Sequence, residues 1–359
     1  MDTKIRVHSA PKTLITDPGV ACCGTVDSVE APLREAGMEV GIYDKAVPEP
    51  PMGSVHKIVD IAKEGEYDLI VGFGGGSAID VAKVVAVLVP TTAGTGAEVT
   101  ASAIFSNEKL NVKQGVVSPH LIPNIALVDP VLTYSCPQGV TAASGMDALI
   151  HNIEAYISVN ATMHTDPLAA EGIKLISKSI RTAVFDGGNA WARHNMAMGS
   201  LLGGIAFGNA GVGAVHAMSY PIGGMFHVPH GIANTLMLPW VMEYNMLACP
   251  QFFREIGEFM GENMEGLSDR EGCEVTLQAL RTLAEDLEAP QYLNEVGIPE
   301  SAIPDLVKGA LTQARLWNNN PRKFTAEDMK QVYRNMAVKP GAEPVKEKKA
   351  PAKKAAAKK

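Results

Sequence analysis

Short apolar runs and longer amphipathic ones alternate through the first third of the chain. Lys12 to Thr16, Met38 to Tyr43 and Asp68 to Phe73 have the length and apolar content of buried strands. Each is followed by a stretch with helical spacing, near Ser28 to Ala36, Ser54 to Lys63 and Ser77 to Leu88. Such alternation predicts an α/β domain, a parallel sheet with helices packed on it. From about Pro137 the pattern turns helical almost without interruption. Amphipathic segments are predicted at Pro167 to Val184, Trp191 to Gly208, His230 to Tyr244, Gln251 to Met260, Ser268 to Leu287, Ile303 to Leu316 and Thr325 to Met336. Thr165-Asp166-Pro167 reads as a helix start and Ser268-Asp269-Arg270-Glu271 as a capping box. The expected organisation is an α/β domain over 1–136, an all-α domain over 137–338 and a tail over 339–359.

Composition narrows the class. A chain of 359 residues, 46% hydrophobic, suits two cores rather than one, and Gly, Pro or charge interrupts its apolar runs before they could span a bilayer. The reading expects a soluble protein with no membrane partner. The tail holds eight Lys and two Glu and is therefore +6, so the formal −8 of the whole chain leaves −14 on the body. Ala, Lys and Pro bury too little to fold, which predicts a disordered tail, and an acidic body argues against nucleic acid as the main ligand. Cys22, Cys23, Cys136, Cys249 and Cys273 are odd in number, lack Cys-x-x-Cys spacing and read as reduced thiols. With no long apolar core after the first charges, the expected location is the cytoplasm; a mitochondrial transit peptide is left open.

Two constellations carry chemistry. Asp147 and His151 lie four apart in a segment that reads as helix, so both leave one face and can grip one ion. His216 and His230, with thirteen residues of Gly-rich apolar sequence between them, would close the site from elsewhere. Three nitrogens and one oxygen suit Fe²⁺ or Zn²⁺ rather than Mg²⁺ or Ca²⁺. An Asp and a His at this spacing also occur together with no metal between them. His227 either reaches the substrate or cofactor or serves packing at the surface. Gly74, Gly75 and Gly76 fall where a strand ends and Ser77 can cap the next helix, a place where bare backbone approaches a pyrophosphate closely. A turn with no ligand has the same composition, and the spacing is not Gly-x-Gly-x-x-Gly. Asp17, at the end of the first strand, favours ribose hydroxyls and hence NAD over NADP, or begins the Pro18-Gly19 turn. The glycines from Gly199 to Gly213 are expected to let helices approach, and Met196, Met198, Met218, Met225, Met237 and Met242 to fill core gaps.

Four words stand in order along the chain. They are Gly74-Gly75-Gly76-Ser77 with Ala78-Ile79-Asp80-Val81-Ala82-Lys83, the run Thr91-Thr92-Ala93-Gly94-Thr95-Gly96-Ala97-Glu98-Val99-Thr100, the run Gly145 to His151, and His216-Ala217-Met218-Ser219-Tyr220-Pro221 through Pro229-His230-Gly231. Together they resemble the iron-containing (group III) alcohol dehydrogenases, whose fold is shared with dehydroquinate synthase, and the resemblance runs from Lys12 to Ala337. It implies a dinucleotide-binding first domain and a metal-binding second one. The implied activity is a metal-dependent, NAD(H)-linked alcohol dehydrogenase or aldehyde reductase acting on small alcohols; separately, the helix surfaces hint at a homodimer or higher homo-oligomer. By resemblance Asp147, His151, His216 and His230 hold Fe²⁺, with Zn²⁺ the other candidate, and act through it. Gly74, Gly75, Gly76, Ser77 and Asp80 flank the dinucleotide, Thr91, Thr92 and Thr95 line its nicotinamide side, and Lys113 bonds ribose hydroxyls. At Tyr220 many relatives carry a His associated with proton transfer, so the proton route is what differs here. The alternatives are a maleylacetate-reductase-like enzyme, against which the complete ligand set speaks, and a non-catalytic relative with an impaired nucleotide lobe.

That second alternative has a geometric basis. The relatives place a few dozen residues between the helix after the glycines and the Thr-Thr-Ala-Gly word, whereas this chain runs Val87-Leu88-Val89-Pro90-Thr91 directly. A helix from Ser77 to Leu88 carries the chain roughly 18 Å from the strand ends at about 1.5 Å per residue. A return needs about five or six extended residues, and only Val89 and Pro90 remain. Either the helix stops near Ala82 and Val84 to Val89 form the returning strand, or the threonines are displaced, or a segment has been lost. The β-branched run favours the first. Residues 1 to 11 are also too few for the hairpin and helix that precede the first strand in relatives, and Glu49 replaces a frequent Asn beside the nicotinamide ribose.

Overall fold

The computed structural model describes residues 12–345, apart from 48–49, 52, 54–56, 59, 62–63, 65–68, 84–85 and 108–111. The chain opens with β1 (Lys12–Ile15), α1 (Pro18–Cys22), α2 (Asp27–Glu35), β2 (Val40–Tyr43), β3 (Leu69–Gly74), α3 (Gly76–Ala82) and β4 (Ala86–Pro90). The hairpin β5 (Ser102–Asn107) and β6 (Val112–Val117) follows, then β7 (Ile125–Ala126). One sheet runs β2-β1-β3-β4-β7 with every pairing parallel; β5 and β6 pair antiparallel in a separate ribbon. Leu14, Val71, Phe73 and Val89 fill one face of the sheet, and Ile15, Ile79, Ala82 and Leu88 the other. Most of the expected helix over 54–63 lies outside the described residues, as do Glu49 and residues 1–11.

The short connection after the glycines resolves as a seven-residue helix. α3 ends at Ala82 after rising about 10 Å, and the five residues of β4 run back about 16 Å, which is sufficient return. Gly74 pairs in register with Pro90, so Thr91 emerges at the same edge as Gly75. Gly72 permits this economy. A Cβ there would stand 2.6 Å from the Ala82 Cβ and 2.7 Å from Leu88 Cδ2, so helix and returning strand press directly on the backbone of β3. Two expectations change. Gly75, not Ser77, is the N-cap, and it supplies no side-chain bond; the expected turn at Pro18-Gly19 is the start of α1, capped by Asp17.

The second half is helical throughout: α4 (Gln138–Tyr156), α5 (Thr165–Phe185), α6 (Ala190–Ala210), α7 (Ala214–Phe226), α8 (His230–Asn245), α9 (Pro250–Met260) and α10 (Asp269–Asp286), then α11 (Ile303–Leu311), α12 (Ala314–Trp317) and α13 (Ala326–Asn335). One large apolar cluster joins them, built from Met146, Ile150, Ile153, Ile176, Met218, Leu236, Met242 and Leu280 among others. The capping box at Ser268 and Glu271 forms, and a second stands at Thr325 and Asp328. The single helix expected over Ile303 to Leu316 breaks in two because the Thr312 hydroxyl takes the Gly309 carbonyl at 2.6 Å, competing with the helical ladder. α7 was not expected, since its Gly and Pro221 mask the helical period. Gly199, Gly203 and Gly204 serve close packing, against Ile176, Asn152 and Gly96 respectively. Met198 is 38% exposed and fills no core gap. Order also continues past 338: Lys339 donates its backbone N–H to Asn294 and its Nζ lies 2.9 Å from Glu295 Oε1. Residues 346–359 lie outside the described residues. Among the described residues no single helix is long and apolar enough to cross a membrane; α6 and α7 together pass on length and composition but are bent by 103°.

Candidate metal centre and cofactor cleft

From Thr141 to Ala155 nearly every residue of α4 is buried, so this helix has no solvated face on which to leave a charge. It nevertheless carries Asp147, His151 and Glu154, at spacings of four and three, on one side. Buried ionisable groups require partners, and here they find one another. His216 enters from the first turn of α7 and His230 is the first residue of α8. Asp147 Oδ1 lies 3.9 Å from His151 Nε2, 3.8 Å from His216 Nε2 and 3.8 Å from His230 Nε2. His151 Nε2 and His216 Nε2 are 3.1 Å apart. Asp147, His151 and His216 form the tightest group; His230 sits at the open side, with 31% of its side chain exposed.

The protons on this cluster decide what it can hold. His151 Nδ1 stands 3.2 Å from the Gly94 carbonyl, and His216 Nδ1 stands 2.5 Å from Glu154 Oε2. Both partners are acceptors only, so each imidazole donates through Nδ1 and turns a bare lone pair at Nε2 toward the other. Two lone pairs at 3.1 Å repel unless something electron-poor lies between them. Donors about 2.1 Å from one tetrahedral ion stand roughly 3.4 Å apart, within the spread seen here. The residues therefore fit a divalent cation. Burial would raise Asp147, but the imidazoles of His151, His230 and His216 and the Asn234 amide outweigh it and hold the carboxyl below its usual range. Burial lowers His151 against the pull of Asp147, keeping the ring neutral as a ligand must be.

Two residues that sequence reasoning missed complete the cluster. Glu154 fixes the His216 ring through Oε2 and accepts the Val215 N–H at 2.7 Å through Oε1, tying the start of α7 to α4. Its signal was present, a carboxylate seven residues after Asp147 on the same helical face. Asn234, four after His230 on α8, donates to Asp147 Oδ1 at 2.7 Å while its Nδ2 also stands 3.0 Å from His216 Nε2 and 3.2 Å from His230 Nε2. Ser219 donates to its Oδ1 and so orients the amide.

The cleft beside this cluster, about 250 Å³, is also lined by Gly76, Ser77 and Thr95. Thr91 donates its N–H to the Gly74 carbonyl, while Thr92 and Thr95 lie against Gly75 and Gly76; a Cβ on Gly76 would meet Thr95 Cγ2 at 2.7 Å. The threonines are thus brought to the glycine edge. Gly96, at φ +57°, lets the same loop rest on α6, where a Cβ would stand 2.5 Å from the Gly204 Cα. Asp17 lies beside Gly74 and accepts the Val20 N–H at 3.0 Å as a helix cap. Tyr220 is buried against His216 and His230, and burial pushes its hydroxyl up to about 12.

Of three further expected residues, Asp80 lines the cleft, His227 caps a helix and Lys113 lies on β6. Asp80 lines the cleft but its carboxylate is committed to protein: Oδ2 accepts the Ile104 N–H at 2.9 Å and Oδ1 lies 3.5 Å from Lys83 Nζ. That lysine, also missed, is fully buried and donates to Thr100 Oγ1 and to the Ser102 carbonyl, so the pair pins the β5–β6 hairpin to α3. His227 is the exposed C-cap of α7, held at φ +55°, and is not brought into the cluster. Lys113 lies on β6 opposite Ser106, and its side chain is outside the described residues.

Sequence profiles of two families match this chain: "Iron-containing alcohol dehydrogenase" over residues 5–130 and "Fe-containing alcohol dehydrogenase family, C-terminal" over 141–337. The chain is 41% identical over 348 residues to long-chain-alcohol dehydrogenase 1 of Geobacillus thermodenitrificans, covering 89% of this chain and 88% of that protein. It is 35% identical over 359 residues to the NAD-dependent methanol dehydrogenase of Bacillus methanolicus, covering 93% and 94%. Its fold is similar to the crystal structure of a 1,3-propanediol oxidoreductase, with TM-score 0.88, 38% identity, and 91% and 92% of the two chains covered.

Proposed function

The chain belongs to the iron-containing alcohol dehydrogenase family, and from that premise we propose that it is an iron-dependent, NAD(H)-linked enzyme interconverting small alcohols and aldehydes. Asp147, His151, His216 and His230 would hold Fe²⁺, for which Zn²⁺ is the chemical alternative. The bound ion supplies Lewis acidity toward the oxygen of an alcohol or carbonyl substrate. The chain's own residues do the rest. Glu154 and the Gly94 carbonyl keep His216 and His151 in the tautomer that leaves Nε2 bare. Gly74, Gly75, Gly76 and Ser77 receive the pyrophosphate, Thr91, Thr92 and Thr95 border the nicotinamide, and Asp17 disfavours a 2′-phosphate. Phe207, Val212 and Ile104 line the cleft and exclude water. Burial holds the Tyr220 hydroxyl up to about 12, which favours the neutral phenol at ordinary pH.

The observation that carries this reading is the run of one cleft from Gly76 and Ser77 to the bare nitrogens of His151 and His216. It also favours catalysis over an impaired nucleotide lobe, because the shortened α3 still delivers the threonines to the glycines. The test is anaerobic: supply Fe²⁺, NAD and a panel of short alcohols, and follow NADH absorbance. Turnover that disappears in His216→Ala supports the proposal; iron and NADH both bound without turnover on any alcohol contradicts it. We further propose a cytoplasmic homo-oligomer, supported by five free cysteines and by Trp191, Met198 and Ile205, apolar and exposed at seven-residue spacing along α6. Light scattering checks the latter.

A further inference from the structure

The cleft has a charged mouth. Arg315 lies on α12 and lines the same cavity as His216, Tyr220 and His230. Its neighbours hold the short helix in place: Leu316 is buried with Val212, Ala217 and Tyr220, and the Trp317 indole donates to the Ala310 carbonyl at 2.8 Å. The guanidinium extends toward β6, where a side chain built on Gly115 would stand 3.6 Å from Nη2. Among the described residues no carboxylate pairs with Arg315. Arg193 and Arg322, by contrast, spend their guanidinium groups on backbone carbonyls. The lining of the cavity also includes the apolar Ile104, Val117, Phe207 and Val212, and Asp80, whose carboxylate faces Lys83.

A cleft lined by metal-ligating side chains, apolar residues and a guanidinium with no carboxylate partner among the described residues is matched by a substrate of corresponding polarity. We propose that the substrate carries a carboxylate, or an equivalent anion, on the carbon remote from the reacting one, and that Arg315 receives it. The substrate class is then short ω-oxocarboxylates and the matching ω-hydroxycarboxylates. This rests on the dehydrogenase reading above. The other source of such an anion is a cofactor phosphate, since Gly76 and Ser77 line the same cavity, and the experiment separates the two. An arginine offers two parallel donors to a carboxylate, which a neutral aldehyde cannot use.

The experiment compares a straight-chain aldehyde with the ω-oxocarboxylate of the same length, using iron-loaded wild type, Arg315→Ala and Arg315→Lys. Wild type is expected to favour the oxocarboxylate in kcat/KM by roughly ten- to a hundred-fold, the range for one charge-assisted pair. Arg315→Ala removes that preference and leaves kcat/KM for the neutral aldehyde and KM for NADH unchanged; Arg315→Lys restores part of it. A wild type that treats the two aldehydes alike overturns the inference while leaving the dehydrogenase reading intact. So does a rise in KM for NADH in Arg315→Ala, which assigns the anion to the cofactor. Calorimetric titration with the unreactive dicarboxylate of the same length supplies a readout independent of turnover. If neither aldehyde reacts, the dehydrogenase reading fails, and titration that is equal in wild type and Arg315→Ala removes the anion site as well.

Discussion

Replacing Glu154 by Gln changes one atom and should disable the metal centre through a proton. Glu154 is 2% exposed and accepts two hydrogen bonds, from His216 Nδ1 at 2.5 Å and from the Val215 N–H at 2.7 Å. A glutamine has a single acceptor oxygen. If that oxygen keeps Val215, the amide NH₂ faces His216 Nδ1 and the ring must switch tautomer, carrying its proton on Nε2 where the ion would bind. If it keeps His216, the amide and the Val215 N–H oppose each other as donors in a buried site. Either way the orienting partner of a metal-ligating imidazole is lost, a change that typically costs about 10- to 100-fold in metal affinity, or about 1.4 to 2.8 kcal/mol. The assay is anaerobic competition for Fe²⁺ between the protein and a chelator of known strength. Melting of the metal-free protein, run beside it, separates weakened binding from a weakened fold. Iron affinity within about twofold of wild type in a folded variant would refute the assignment of Glu154 as the residue that fixes His216.

Tyr220 does not ionise below about pH 12, because burial disfavours the phenolate, so it adds no ascending limb to the rate at any ordinary pH. Tyr220→Phe is therefore expected to keep the shape of the pH–rate profile, and a limb that vanishes with the hydroxyl would show the tyrosine acting as a base. Lys83→Met leaves Asp80 buried without its cation, a loss of about 3 kcal/mol or more in thermal or denaturant melts. Lys83→Met with Asp80→Asn should recover much of this, and a single variant as stable as wild type would remove the pair from the account. Gly96→Ala places a Cβ against the Gly204 backbone at a positive φ, costing roughly 2 to 4 kcal/mol from strain and overlap together. Because the loop carries Thr95, fluorescence titration should show weaker NADH binding; unchanged binding would separate that loop from the cofactor.

The helical half was legible because a 3.6-residue apolar period records which face is buried, and Ile150, Leu236 and Leu280 keep that period. Asp147 and His151 were legible for the same reason, being neighbours on one helix. The course after the glycines was legible from length alone, since a chain has fixed rise per residue and the run from Val84 to Val89 is β-branched. What escaped was pairing across the chain. Glu154 with His216, Asn234 with Asp147, and Lys83 with Ser102 are contacts between elements, and nothing local to either partner announces them. The contacts of Asp80 escaped likewise: its position in a cofactor word says nothing of the Ile104 N–H that its carboxylate accepts. The β5–β6 hairpin escaped because its alternation is weak and its sheet has only two strands.

Four side chains from α4, α7 and α8 are proposed to share one ion. X-ray absorption at the iron edge of the anaerobically loaded protein tests it most directly. One iron per chain is expected, its nearest shell holding three imidazole nitrogens and a carboxylate oxygen, with the imidazole signature reduced in His216→Ala. A shell without imidazole, or one unaltered by His216→Ala, would contradict it.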